Sequence, residues 1–299
     1  MNPAPILVFT YNRLLHTKNT VEALKKNSLS QQSHLFIFSD ACRTEKDMSK
    51  VQGVRNYLKT ITGFKNITII EREYNYGLGN NIIDGVTKIV NEYGCVIVME
   101  DDLLSSPYFL EFMNKGLEIY EHNENVISIH GYLYPIKKPL PETFFMRNAD
   151  CLGWATWKRG WDLFEPDGNI LLAKLNERSE QNIFDFNNSY PFTNMLKDFV
   201  DGKNNSWAVR WYASAFLNNK LTLYPGRSLI FHAGGDGTGV NTGFDNHLDV
   251  SLSKTPIQIN PIPVENNTQA YDAFAEFYSS MVRPSVLYRV RRKFKKMFH

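Results

Sequence analysis

Short apolar runs that end at polar clusters recur through the first hundred residues. Ile6 to Phe9 runs into Thr10-Tyr-Asn-Arg13, and Val21 and Leu24 open a helical spacing behind it. Leu35 to Phe38 runs into Ser39-Asp40-Ala-Cys-Arg43, with a polar helix expected from about Glu45 to Leu58. Ile67 to Ile70 precedes Asn75-Tyr-Gly-Leu-Gly79, after which Ile82, Ile83, Val86, Ile89 and Val90 fall on one helical face. Cys95 to Met99 stops at Glu100, Asp101 and Asp102, and Ser106-Pro107 opens a further helix. Short β-branched runs bounded by turn residues read as buried strands. Four strand-helix units in succession predict an α/β fold with a Rossmann-like, mainly parallel sheet and helices on both faces. Ligands of such sheets bind beyond the carboxyl ends of the strands. The clusters Thr10 to Arg13, Ser39 to Arg43 and Glu100 to Asp102 are therefore expected along one edge.

The second half is less regular. Val126 to Ile129 reads as a strand leading to His130-Gly-Tyr, and Lys137 to Pro141 as a loop. Trp154, Trp157 and Trp161 stand at i, i+3 and i+7, which predicts one helical face carrying all three and favours core packing. A helix is expected from Asn204 to Phe216, with Trp207 and Trp211 one turn apart, and a strand from Leu221 to Tyr224. Leu229-Ile-Phe231 then opens into His232-Ala-Gly-Gly-Asp-Gly-Thr-Gly239, a loop able to offer backbone N–H groups to a diphosphate or to act as a mobile lid. Residues from about 245 to 270, with Asn260-Pro-Ile-Pro263, read as a surface loop.

Composition narrows the picture. The chain has 299 residues and 43% hydrophobic content, enough for one large domain or two small ones. Net charge is +2, yet no acid follows Glu276 while Arg283, Arg289, Arg291, Arg292, Lys293, Lys295 and Lys296 do, so the rest of the chain is net acidic. That distribution argues against a nucleic-acid-binding surface. Leu287, Val290, Phe294 and Met297 or Phe298 share a helical side in this tail. It could lie on an anionic membrane surface, dock on the protein's own body or stay disordered. Cys42, Cys95 and Cys151 are scattered and odd in number, so neither a disulfide framework nor a zinc site is suggested. With no leader-like N-terminus, a cytoplasmic location is expected, with peripheral contact at the inner membrane face through residues 283–299.

Three adjacent carboxylates after a buried strand are costly unless water, donors or a cation compensate them. They read either as a solvated acidic turn or as oxygen ligands for Mg²⁺ or Mn²⁺, which typically take one or two protein carboxylates and fill the shell with water and phosphate oxygens. There is no GxGxxG after the first strand and no GxxxxGK[ST], so dinucleotide and P-loop readings fail.

Pro5-Ile-Leu-Val-Phe-Thr-Tyr-Asn-Arg13, Ser39-Asp40, Tyr76-Gly-Leu-Gly79 and Val98-Met-Glu-Asp-Asp-Leu103 with Pro107-Tyr-Phe109 together resemble GT-A glycosyltransferases. The resemblance is nearest to the N-acetylglucosaminyltransferase I group and related bacterial sugar transferases, and it covers about residues 4–165. It implies a GT-A fold with a nucleotide-sugar half at 1–130, an acceptor half at 131–270 and a basic amphipathic tail at 271–299. It also implies an inverting transfer of a sugar from a nucleotide diphosphate, UDP by expectation, to a glycan or lipid-linked glycan. Asp102 would bind Mn²⁺ or Mg²⁺. Glu100 and Asp101 would face ribose and sugar, and Arg13 and Asp40 the uridine end. Thr10, Tyr11 and Gly79 join the donor set. Leu152-Gly-Trp154 resembles the segment that begins the acceptor side, which makes Trp154 a candidate sugar platform and Asp150 the nearest candidate base, although the family sets its aspartate further from the tryptophan. His232 is either structural or a metal ligand, as a late histidine is in some GT-A enzymes. Two alternatives stay open, a sugar-1-phosphate nucleotidyltransferase and a non-catalytic sugar-binding protein on the same fold. The first is disfavoured because Thr10 to Arg13 lacks a glycine-rich basic loop.

Overall fold

The structure is a computed structural model that describes residues 3–238 and 246–282. The first half alternates β1 (Ile6–Thr10), α1 (Leu14–Lys25), β2 (His34–Ser39), α2 (Met48–Leu58), β3 (Asn66–Glu71), α3 (Leu78–Tyr93) and β4 (Cys95–Glu100). A short β5 (Leu103–Ser105) and α4 (Phe109–Ile119) follow. Strand alternation splits the apolar runs between two faces. Ile6, Val8, Leu35, Ile37, Ile97 and Met99 share one core with Val21 and Leu24 of α1, Val54 and Leu58 of α2, and Phe109 and Met113 of α4. Leu7, Phe9, Phe36, Phe38, Val96 and Val98 face Ile82, Val86, Ile89 and Val90 of α3. Fully burying each such side chain stabilises the fold by about 1.5–3 kcal/mol, which is why these strands read as unbroken apolar runs.

The second half adds β6 (Val126–His130), β7 (Thr143–Met146), β8 (Trp154–Trp157), α5 (Lys158–Trp161), α6 (Gly168–Arg178), α7 (Gln181–Phe184), α8 (Phe192–Val200), α9 (Trp207–Leu217), β9 (Leu221–Pro225), β10 (Ile230–His232) and α10 (Thr268–Val282). Eight strands form one sheet in the order β3-β2-β1-β4-β8-β6-β9-β7, and β5 pairs with β10 in a separate ribbon. β1 lies parallel to β2 on one side and β4 on the other, with Val8 opposite Ile37 and Met99. The chain steps outward from β1 to β3 and then returns across β1 to β4. That reversal leaves a crevice at the carboxyl ends of β1 and β4. β8 runs antiparallel to both β4 and β6, with Trp154 opposite Val98 and His130. The residues just before Trp154 consequently lie along the same edge as Glu100 to Asp102.

Two expectations change here. The three tryptophans do not share a helix: Trp154 and Trp157 are in a strand, an odd number of residues apart, so they point to opposite faces. Trp157 joins one core. Trp154, 1% exposed, packs among Trp161, Trp207 and Trp211 with ring centroids 5.4–5.8 Å away, and so offers no platform to a sugar. The helical spacing was satisfied by chance, because the antiparallel edge of β4 needed a partner strand there. The boundary at residue 271 also fails, because it cuts through α10. Ala270, Ala273, Phe274 and Tyr278 are buried against β7 and β9 residues such as Phe144 and Tyr224, so the helix belongs to the body. The basic segment 283–299 lies outside the described residues. No described helix is long and apolar enough to cross a membrane.

Gly153 joins the aspartate-bearing segment to β8. It takes φ +70°, and a Cβ there would lie 2.7 Å from Ile230 Cγ1. Gly153→Ala is expected to lower unfolding stability by about 1–3 kcal/mol. In contrast, a Cβ at Gly53, inside α2, would meet nothing within 4 Å. Gly53→Ala should therefore raise stability by about 0.5–1 kcal/mol. Urea unfolding of the two variants tests both signs.

Candidate active site

Arg13 stands one turn beyond β1, at the N-cap of α1, and its side chain crosses the crevice to the end of β4. Its Nη2 donates to Asp101 Oδ1 and, at 2.8 Å, to Asp102 Oδ2. The three side chains are only 17%, 6% and 10% exposed. Thr20 Oγ1, two turns along α1, donates to the Asp101 carbonyl at 2.8 Å and fixes the helix to the acidic turn. One guanidinium thus faces three carboxylates. Burial, then repulsion from Asp102 and Asp101, pushes the Glu100 carboxyl up to about 8. Burial likewise pushes Asp101 up to about 6, against the pull of Arg13. Asp101 Oδ2, Arg13 Nη1 and Thr10 Oγ1 are buried without a hydrogen-bond partner. The crevice therefore holds both an unmet acceptor and an unmet donor.

The ribbon brings a distant segment to the same spot. β10 pairs with β5 so that His232 opposes Leu103, and Ala233 N donates to the Asp102 carbonyl at 2.8 Å. His232 Nε2 consequently lies 3.7 Å from Asp102 Oδ2. A Cβ on Gly234 would collide with Asp102 Oδ2 and lie 2.7 Å from His232 Nε2, so only glycine lets the loop pass over this pair. Further along the loop, Asp236 Oδ2 lies 3.1 Å from His16 Nε2, tying the loop to α1. Among the described residues no three His, Cys, Asp or Glu side chains converge on one ion position. Two do, however. Ligand atoms bound at roughly 2.1 Å to one octahedral ion sit about 3 Å apart, close to the separation of Asp102 and His232, and Mg²⁺ or Mn²⁺ normally keeps its other positions for water and phosphate. The donor set and its excess negative charge fit such a cation.

The remaining candidates divide. Tyr11 donates from its hydroxyl to Asp47 Oδ2 at 3.1 Å and accepts from Arg43 N at 3.0 Å, bridging the turns after β1 and β2. Asp40 is spent within the protein. Its oxygens accept from Ala41 N, Tyr76 N, Gly77 N and Asn75 Nδ2 at 2.8–3.2 Å, so it braces the loop before α3 where a direct contact to uridine was expected. Gly79 is buried where the chain approaches α9, and a Cβ there would lie 3.2 Å from the Asn205 carbonyl. Asp150 lies on the edge beside the acidic turn. Its Oδ1 accepts from Cys151 N at 2.9 Å and its Oδ2 from the Tyr134 hydroxyl at 2.7 Å.

Residues 6–150 match the family described as Glycosyl transferase family 2. This segment is similar to family 2 glycosyl transferase domains. It contains the crevice and its arginine and acidic turn, while His232 comes from outside it. Among solved structures, a mannosyltransferase from Pyrobaculum calidifontis, in complex with GDP-Man and Mn²⁺, is 12% identical with a TM-score of 0.40. That likeness covers 55% of this chain and 46% of the mannosyltransferase. S. aureus TarS is 13% identical with a TM-score of 0.41, covering 79% and 37%. A UDP-glucose pyrophosphorylase complexed with UDP-glucose is 12% identical with a TM-score of 0.33, covering 56% and 82%. The chain thus spans under half the length of the first two. No curated protein matches the sequence. The finer likeness to the N-acetylglucosaminyltransferase I group rests on the motifs alone.

Residue reading missed His16, Thr20, Asp236 and Tyr134. Of these, only His16 carried a signal, since it stands three residues after Arg13 and shares its side of α1.

Breaking a buried pair strands uncompensated charge. Arg13→Met is expected to lower unfolding stability by about 3–5 kcal/mol. Arg227→Met removes an equally well-formed pair with Glu142, at 2.8 and 2.9 Å, but both partners there are over 40% exposed. It should cost less than about 1 kcal/mol. Denaturant unfolding of both variants makes the comparison.

Proposed function

We propose that the protein is a metal-dependent, inverting glycosyltransferase that moves a sugar from a UDP-sugar to a glycan or lipid-linked glycan. The observation that carries the reading is the shared seat at Asp102, whose Oδ2 faces both Arg13 and His232 at the mouth of the β1–β4 crevice. The family 2 match supports the reaction class. The donor diphosphate would lie over this seat, where Arg13 Nη1, buried and without a partner, can donate to a phosphate oxygen. A divalent cation held by Asp102 and His232 would neutralise the charge on the departing diphosphate. Asp150 acts as general base. The acceptor oxygen bonds to the anomeric carbon opposite the diphosphate, the bond to diphosphate breaks, and the acceptor proton passes to the Asp150 carboxylate. No covalent enzyme intermediate is needed.

The test begins with thermal denaturation against a panel of nucleotide sugars with and without Mn²⁺. Binding to the native state raises the apparent melting temperature by mass action. A selective, Mn²⁺-dependent rise that disappears in Asp102→Ala is expected, together with loss of nucleotide release from that sugar. Absence of any nucleotide-dependent rise in the wild type would sink the reading. Asp150→Asn should keep the thermal rise and lose turnover by about 100-fold or more.

The basic segment 283–299 supplies a membrane contact in the same reading. Deleting residues after Arg283 should reduce co-sedimentation with vesicles containing anionic lipid, and undiminished co-sedimentation would exclude that contact.

A further inference from the structure

Asp150 is held by an aromatic cluster that belongs to the second half of the chain. Tyr134, just after β6, donates its hydroxyl to Asp150 Oδ2 at 2.7 Å. Its ring is enclosed by α10, with Phe274, Phe277 and Tyr278 at 5.4, 5.1 and 5.3 Å, and by Tyr132 at 5.1 Å. Such a ring has no freedom to swing, so the direction of its hydroxyl is fixed by packing. Burial, then the charge of Asp150, raises Tyr134 well above the ordinary tyrosine range, which keeps it a donor. His130, at the end of β6, lies behind the carboxylate with Nε2 4.0 Å from Asp150 Oδ2, too far for a hydrogen bond. Burial pushes His130 down to about 4, so it brings no opposing charge, and neither ring nitrogen has a partner. Tyr134 is therefore the one side chain among the described residues that orients the carboxylate directly.

Resting on the proposed role of Asp150, we infer that Tyr134 is a positioning residue for that base and that α10, by gripping the Tyr134 ring, sets the angle at which the carboxylate meets the acceptor hydroxyl. This charge-assisted hydrogen bond holds Oδ2 while Cys151 N holds Oδ1, so the carboxylate keeps one orientation. It makes the C-terminal helix part of the catalytic machinery, although none of its residues touches substrate.

Two buried tyrosines separate this from a packing effect. Tyr134→Phe deletes the hydroxyl that donates to Asp150, together with its contact to the Tyr278 hydroxyl. Tyr132→Phe deletes a hydroxyl of the same cluster whose partner is the Leu248 carbonyl, at 2.6 Å. Steady-state nucleotide release is measured with UDP-glucose or UDP-N-acetylglucosamine, whichever raises the melting temperature in the panel above. Tyr134→Phe should lower kcat by about 10- to 100-fold with donor KM unchanged, while Tyr132→Phe keeps wild-type kcat and melts at a similar temperature. Equal losses in the two variants, or wild-type turnover in Tyr134→Phe, would overturn the inference. In an Asp150→Asn background the further loss from Tyr134→Phe should be under about two-fold, since coupled residues are not additive; a full additional loss means the hydroxyl acts elsewhere. Near-normal turnover by Asp150→Asn would remove the proposed base and this inference with it. An inactive Asp150→Asn beside a fully active Tyr134→Phe removes the inference alone.

Discussion

Buried charge at the β1–β4 crevice is the constraint on which the rest of the molecule depends. Two carboxylates under 10% exposed at their residues would be intolerable without compensation, and Arg13 supplies it from the neighbouring strand. The compensation is incomplete. Glu100 and Asp101 remain raised, and an acceptor oxygen and a donor nitrogen are left unmet. The site is short of positive charge, with its carboxylates buried and only one guanidinium against them. Binding there would relieve a cost the fold already carries.

Stiffness comes from layers that have no chemistry of their own. Alternating faces of β1, β2 and β4 lock α1 and α3 in register, and Thr20 and Asp40 convert that register into fixed turns at the strand ends. On the other flank, β8 closes the edge of β4, and the segment leading into it holds Asp150 against Tyr134. Four tryptophans, Trp154, Trp161, Trp207 and Trp211, fill the space behind it. The sheet is thus continuous from the first half of the chain to the second, and α10 reaches Asp150 through Tyr134.

Much of the first half was legible in the chain. The buried parallel strands β1, β2 and β4 are largely apolar, and polar clusters follow them where the chain turns, so they and the acidic turn could be read from the chain. The half-exposed edge strand β3 showed through its isoleucines. The family 2 match to residues 6–150 covers the same span. The second half was harder because its strands are short, mixed in direction and partly half-polar. β5, β7 and β8 lack a periodicity longer than four residues. The tryptophan spacing even suggested a helix where pairing with β4 imposed a strand. Asp40 braces the loop before α3 and Gly79 packs tightly against the Asn205 carbonyl, contacts that only the folded neighbours reveal.

By itself the sequence determined the local events: where strands begin, where carboxylates end them, and which helices have an apolar side. Those follow from hydrophobic periodicity and turn preference, which act over a few residues. Only the tertiary structure decided which distant groups share one space. The pairing of β5 with β10 brings His232 onto Asp102 across 130 residues, and the antiparallel register of β8 against β4 sets Trp154 opposite Val98, so the segment before it runs toward the end of β4. No pattern along the chain encodes those distances, because they arise from which edges remain unpaired once the local elements have formed.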